Sequence, residues 1–279
     1  MFEYSFMRIS LVAIIMISFI LPLLGVNVTT KRLSMIGDTL SHTALAGIAI
    51  GLAVGTGGYP IPWAIGVSVI SGAVIELVRL KFKQFSELTL AIVMSAAVGF
   101  AGIMTTYVKG NNFEKYLFGS IITVQASDLY IIGALFVLTL LFSIGFYRTN
   151  MYIAFSESEA RIAHINVKVI NMVMILLVAS VVAVASNIIG SLIVSSFLAL
   201  PVACALQVSK SYFQTNIYAV VFSLIPGVVG LIISWPLNWN VGGAIVLLSV
   251  AILVMLLIGK GIFKLINYFS IRNSKDQSN

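Results

Sequence analysis

With 279 residues, 60% of them hydrophobic and only 9% charged, the chain cannot build the surface of a water-soluble globular protein, where about 25% of residues are charged. Lysine and arginine outnumber aspartate and glutamate 16 to 9, but no basic cluster with interleaved aromatics lies outside the segments that join apolar runs. The excess therefore reads as membrane topology rather than as a nucleic-acid surface. The single cysteine, Cys204, sits inside an apolar run, excludes an intrachain disulfide and reads as a small core residue.

Nine apolar segments are long enough to cross a hydrocarbon core about 30 Å thick at about 1.5 Å per residue. The first, Met7–Val28, lacks a small-residue cleavage site ahead of a soluble domain and is read as a retained span. The others run over Met35–Val54, Ile61–Leu80, Glu87–Tyr107, Leu129–Tyr147, Val169–Ser186, Ser191–Val208, Ile217–Trp235 and Val241–Ile258. Backbone groups in lipid must be bonded within their own segment, so the expected fold class is all-α: a polytopic helical bundle of eight or nine spans. Two further pieces do not span. Asn111–Ser127 contains an apolar stretch, Tyr116–Val124, too short to cross, and is read as an outer-side or re-entrant helix. Phe155–Ile165, with Glu157, Glu159, Arg161 and His164, is read as a short surface helix. The expected organisation is one transmembrane domain over residues 1–270 and a polar tail over 271–279.

Basic residues mark alternate connections: Lys31 with Arg32; Arg79, Lys81 and Lys83; Arg148, Arg161 and Lys168; Lys210; and Lys260, Lys264, Arg272 and Lys275. The connections near Gly55–Pro60, Ile188–Gly190 and Pro236–Asn240 carry no charge. This predicts a multi-pass protein of a bacterial inner membrane, N-terminus outside and C-terminus cytoplasmic. Arg8 and the connection with Lys109 and Lys115 run against the pattern.

No glycine-rich phosphate loop, dinucleotide fingerprint, zinc-type cysteine pair or metalloprotease His-Glu pair is present, so ATP chemistry would have to come from a partner. The informative chemistry lies in the second span, where Gly37, Asp38, Thr39, Leu40, Ser41 and His42 interrupt an apolar helix. Asp38 and His42, four residues apart, share one helix face, with Cβ atoms about 5 to 6 Å apart. Ionisable groups at membrane depth cost roughly 2.5 to 3.5 kcal/mol each and usually face a cavity or pathway. Carboxylate and imidazole suit zinc or manganese, and without a nearby thiolate a soft-metal site is disfavoured. One chain supplies two ligands, whereas a two-fold pair would supply four. The alternative reading pairs Asp38 with Lys31 or Arg32 and lets His42 bond a neighbouring helix. Thr39 and Ser41 read as ordinary helix hydroxyls, with Ser41 able to support a ligand. The small residues Ala44, Ala46, Gly47, Ala49 and Gly51 permit close helix approach, as a helix on a dimer axis would need. Pro201, Asn187, Met35 and Met94 are read as structural.

The segment Arg32–Gly51, RLSMIGDTLSHTALAGIAIG, resembles the signature of the zinc/manganese permease family of ATP-binding-cassette importers. Tyr116–Tyr130, YLFGSIITVQASDLY, Gly190–Ala205, GSLIVSSFLALPVACA, and Leu237–Leu248, LNWNVGGAIVLL, are similar to further family blocks in the same order. The resemblance covers nearly the whole chain. It implies the architecture of importers related to cobalamin and siderophore permeases. The resemblance further implies two permeases, a homodimer in the family's pattern, working with two cytoplasmic ATPases that bind ATP, surrounded by membrane lipid and supplied by an extracytoplasmic metal-binding protein.

Carried over onto this chain, the family's pathway carboxylate and histidine fall on Asp38 and His42. Phe155–Ile170, FSESEARIAHINVKVI, resembles the coupling helix that docks into the ATPase, with Glu157, Glu159 and Arg161 as charged contacts over about residues 155–166. The family commonly has Gly where this chain has His164, which speaks against a metal role there. The expected activity is alternating-access import, with no chemistry and no bound cofactor in this chain. The cargo is zinc first, because GDTLSH followed by LAGIAIG looks more like zinc-type members, with manganese or iron as alternatives. An ion-gradient transporter and a non-transporting scaffold remain open. Metal binding needs neutral imidazole, so acidification would work against transport.

Overall fold

A computed structural model of the chain describes residues 5–31, 33, 35–55, 59–108, 113–119, 126–237 and 239–276. Arg32, Lys109, the 120–125 part of the expected re-entrant stretch and residues 277–279 lie outside the described residues. The described residues contain helices and no strand. In chain order the helices are α1 Ser5–Thr30, α2 Ile36–Val54, α3 Ile61–Lys81, α4 Ser86–Thr105, α5 Glu114–Phe118, α6 Ala126–Gly145, α7 Tyr147–Phe155, α8 Glu157–Ile162, α9 Val167–Ile189, α10 Ser191–Val208, α11 Tyr212–Leu237 and α12 Val241–Asp276. Among the described residues, 9 are long and apolar enough to cross a bilayer, matching the nine expected segments.

The boundaries differ where the end of apolar sequence and the end of the helix are different events. Helix α12 continues to Asp276, well past Ile258, because its polar continuation contains no proline and keeps the backbone ladder intact. Helix α11 begins at Tyr212 rather than Ile217, its first turn carrying Gln214 and Asn216. Helix α7 was not expected at all. Its nine residues are of low hydrophobicity and follow α6 across the single residue Phe146.

The bundle is built around α2 and α9, the most enclosed spans. Helix α2 packs chiefly on α3, α4, α9 and α10, while α1 joins α6, α10 and α11. The contact with α3 rests on Gly47: a Cβ there would meet the carbonyl oxygen of Trp63 at 2.5 Å and the Cα of Ala64 at 2.7 Å. The small residues of α2, expected to suit a dimer axis, are instead packed inside the chain: Gly47 and Gly51 against the start of α3, Ala44 with Ala64 and Ala183, and Ala46 with Ala97 and Ala101 of α4. Between α9 and α10 the chain turns through Gly190 alone, at φ 104, packed against Gly119 at φ 77 so closely that neither position has room for a Cβ.

Contacts between connections show which helix ends lie together. Gly119 meets Gly190, and Asn240 Nδ2 donates to the Gly119 carbonyl at 3.5 Å, placing these connections at one end. At the other end, Lys31 bonds to Asn171, Tyr212 donates to Asn27, and Lys260 donates to Gln207. The expected alternation is therefore real, and the basic groups at Lys31, Arg79, Arg161, Lys210 and Lys260 share what is called here the charged end.

Helix α8 begins with Ser156, whose extended backbone (φ −158) lets its hydroxyl accept from the Glu159 amide at 3.3 Å. This is an N-cap with glutamate at the third helical position. The helix ends in a Schellman pattern, with the Ile165 amide on the Ala160 carbonyl and the His164 amide on that of Arg161, each at 3.1 Å. His164 occupies the left-handed position of that motif at φ 60, which glycine adopts without a Cβ penalty. The glycine that the resemblance leads one to expect at this position would fit the same backbone without strain.

Gly47→Val should lower the stability of the solubilised protein by about 1 to 3 kcal/mol through overpacking, measured by thermal unfolding. Gly66→Val, facing open space on α3, should change it by less than about 0.5 kcal/mol. Equal effects would mean that the α2–α3 contact is not limited by backbone approach.

Candidate functional site

Over the fourteen positions from Ile36 to Ala49, every residue of α2 is buried except two, Asp38 and His42. The cause is the packing around them. Gly37 faces Ser195 of α10, Thr39 reaches the Leu90 carbonyl of α4 at 3.3 Å, and Leu40 lies in the main core with α9. That leaves the stripe at positions 38 and 42 only partly covered. Counted along the axis, Asp38 lies about 3 Å and His42 about 9 Å from the start of α2.

Neither side chain makes a hydrogen bond or ion pair with any described residue. Lys31, one expected partner of Asp38, is engaged elsewhere, and Arg32 lies outside the described residues. The neighbouring hydroxyls are consumed by the backbone, Ser41 on the Asp38 carbonyl at 2.8 Å and Thr39 on the Met35 carbonyl at 3.0 Å. Among the described residues no group of three or more His, Cys, Asp or Glu side chains could hold one ion. Of the residues read as structural, Asn187, Pro201 and Cys204 are buried, and Met35 is exposed at the beginning of α2.

The second constellation lies at the charged end. Arg79, near the C-terminus of α3, donates to Glu76 one turn earlier at 3.2 Å and to Glu157 at the start of α8. Asn171 of α9 donates to the same Glu157 carboxylate at 3.1 Å and accepts from the Lys31 ammonium, which also approaches the Met174 sulfur at 3.2 Å. Two cations, two carboxylates and an amide thus join the ends of α1, α3, α8 and α9. Glu76 is 0% and Arg79 8% exposed. Burial draws the Lys31 ammonium down to about 8, Arg79 pushes the same way, and Glu157 and Glu76 oppose it.

Of the three expected coupling residues, the structure separates one from the others. Glu157 is drawn inward to Arg79, whereas Glu159 and Arg161 are exposed on the outer side of α8. Reading the sequence for topology assigned Arg79 and Lys31 only to a basic count and passed over Glu76 and Asn171. The Glu76–Arg79 spacing within a span was the available signal, since a buried charge at that position calls for a partner one turn away.

Arg79→Met should destabilise the protein by about 3 to 5 kcal/mol, because it leaves two carboxylates with one cation between them. Adding Glu157→Gln should recover part of that loss, measured by thermal unfolding; strict additivity would mean the two side chains do not interact. The depressed Lys31 value gives a signed pH dependence. Between about pH 8 and 10.5 the unfolded chain holds more protons than the folded one, so stability from this group rises with pH across that window. Lys31→Met should flatten the rise.

The sequence profile described as the ABC 3 transport family matches residues 3–260. A probable metal transport system membrane protein of Treponema pallidum is 35% identical over 92% of this chain and 96% of its own length. The high-affinity zinc uptake system membrane protein ZnuB of Haemophilus influenzae is 28% identical over 91% and 97%. The manganese transport system membrane protein MntC of Listeria monocytogenes is 24% identical over 90% and 89%. Among solved structures, PsaBC from Streptococcus pneumoniae in complex with Fab superposes with a TM-score of 0.80 at 22% identity, covering 91% of each chain, which establishes a common fold. With its profile matched over nearly its whole length and a 35% identical relative covered almost end to end, this chain belongs to the ABC 3 transport family as a membrane-spanning transport subunit, not an enzyme.

Proposed function

We propose that the chain is the permease of an ATP-driven importer for a divalent transition metal, with zinc as the first choice of cargo. The observation that carries this reading is the partly exposed, unpartnered pair Asp38 and His42 on a helix otherwise enclosed along its packed length. A carboxylate at membrane depth without a counter-charge is costly, and a passing cation provides that charge. Two copies related by a two-fold axis would present two carboxylates and two neutral imidazoles, a donor set that suits zinc in tetrahedral geometry and also accommodates manganese. The zinc-type form of the α2 motif and the similarity to ZnuB favour zinc, and the similarity to MntC keeps manganese as the second reading.

In this reading the charged end faces the cytoplasm, which the bias of basic residues toward that end supports. There the exposed Glu159 and Arg161 of α8 contact a partner ATPase, over a coupling segment of about residues 155–166. Glu157 belongs to the same segment but holds it to the bundle. An extracytoplasmic metal-binding protein delivers the ion at the opposite end, and ATP binding and hydrolysis in the partner alternate access to the pair. An ion-gradient transporter is the competing class, and it would need no ATPase.

Uptake of radioactive zinc and manganese into cells lacking their own high-affinity importers, supplied with this chain and its partner proteins, tests the reading. Asp38→Ala and His42→Ala should each cut uptake at least tenfold at matched expression of the assembled complex, and the metal whose uptake falls is the cargo. Wild-type uptake in both variants would remove the pair from the pathway, and uptake without a functional ATPase would overturn the mechanism.

A further inference from the structure

A cavity of about 680 Å³ opens between α1, α6 with α7, and α11, on the part of the bundle away from the main packing partners of α2. Its walls are divided by polarity along their length. Phe19, Leu23, Leu140, Ile144, Val221 and Leu224 form an apolar part, and Asn27, Asn150, Tyr212 and Asn216 gather toward the charged end. Along α11 the lining runs from Tyr212 to Leu224, about 18 Å at 1.5 Å per residue, close to the roughly 15 Å depth of one leaflet's hydrocarbon.

The polar end is built rather than incidental. Tyr212 donates to Asn27 Oδ1 at 2.9 Å, and Asn27 and Asn216 donate to the backbone carbonyls of Leu23 and Tyr212 one turn away at 3.1 and 2.8 Å, so each of these three groups has a partner. Asn150 is different. It is 1% exposed, yet neither its amide nitrogen nor its amide oxygen bonds any described residue. The buried Ser143 hydroxyl, on the same wall, is in the same condition. Unpaired buried polar groups are expensive, and a pair of them facing a cavity provides a donor and an acceptor for an occupant. The Tyr147 ring, 5.6 Å from that of Tyr212, stands at the same end. The exposed cations Arg148 and Lys210 follow Tyr147 and precede Tyr212 closely in sequence.

An apolar shaft of leaflet depth and a hydrogen-bonding neck, with two exposed cations next to it in sequence, match one occupant in outline. We propose that this cavity is a binding site for an anionic phospholipid of the leaflet at the charged end. One acyl chain lies along Leu23, Ile144 and Leu224, its ester carbonyl accepts from Asn150 and Ser143, and its phosphate lies near Arg148 and Lys210. The lipid is held by this chain as a ligand, distinct from the lipid that coats the bundle, because its hydrogen bonds are made inside the protein and its charge is met by the anionic-lipid attraction of nearby cations.

Native mass spectrometry of the permease–ATPase complex released from nanodiscs of phosphatidylglycerol and phosphatidylethanolamine tests this. The wild type should retain about one phospholipid per permease chain, preferring phosphatidylglycerol. Asn150→Leu, which keeps the side-chain size but removes the amide, and Ser143→Phe, which fills the cavity, should each lower retention at least fivefold. Leu247→Phe, on the exposed face of α12, should not. Because a cavity variant could misfold, the surface variant Arg148→Gln with Lys210→Gln supplies an independent arm, in which the preference for phosphatidylglycerol should disappear while a lipid is still retained. No retained lipid on the wild type, or equal retention by all variants, would overturn the proposal and leave only coating lipid. Loss of the permease pair in Ser143→Phe with unchanged lipid would overturn it in favour of a second copy of the chain on this surface.

Discussion

The high cost of a polar group without a partner in apolar surroundings organises this molecule. Most hydroxyls in the spans return to their own helix: Ser10 to the Phe6 carbonyl, Thr30 to Val26, Ser180 to Leu176, Ser186 to Val182 and Ser249 to Ile245. Charges that cannot be satisfied within one turn are collected at one end, where Arg79 gathers carboxylates from two helices and Asn171 bridges Glu157 to Lys31. Some buried hydroxyls, such as those of Ser18, Thr139, Ser191 and Ser223, stay unpaired among the helices. The unpaired groups that carry information are those beside open space: Asp38 and His42, partly exposed on an otherwise enclosed helix, and the Asn150 amide and Ser143 hydroxyl at a cavity.

The charged cluster and the α2 pair are joined through helix α3. Glu157 fixes the first turn of α8 to Arg79, and α3, which carries Arg79, is the helix on which Gly47 of α2 is seated without room for a Cβ. A segment at the charged end is thereby connected to the helix that bears Asp38 and His42 through two contacts, one ionic and one steric, neither of which tolerates much adjustment. Such close packing transmits displacement rather than absorbing it. The outward position of Glu159 and Arg161 leaves α8 with a charged face for a partner and an inward face for the bundle.

Much of the fold was legible in the sequence because a hydrocarbon solvent makes apolar length nearly synonymous with a span. The second span, expected over Met35–Val54, is helical over Ile36–Val54, and the Ser191–Val208 helix has the expected limits. Apolarity, however, marks the membrane and not the end of backbone hydrogen bonding, so α12 runs on to Asp276 and the weakly hydrophobic α7 left no periodic signal. Asp38 and His42 could be paired from their spacing alone, since an α-helix fixes which residues share a face.

By itself, then, the sequence determined what local rules reach: an all-helical membrane chain, the alternation of its basic connections and the shared face of Asp38 and His42. Only the tertiary structure decided which of these groups are covered. Glu157 and Arg79 are separated by 78 positions, and no periodicity announces that they meet. Likewise, nothing local distinguishes the small residues of α2 that seat α3 from those that would seat a second chain. Burial is a property of the surface that the other helices bring, and it follows from their packing together rather than from the pattern along any one of them.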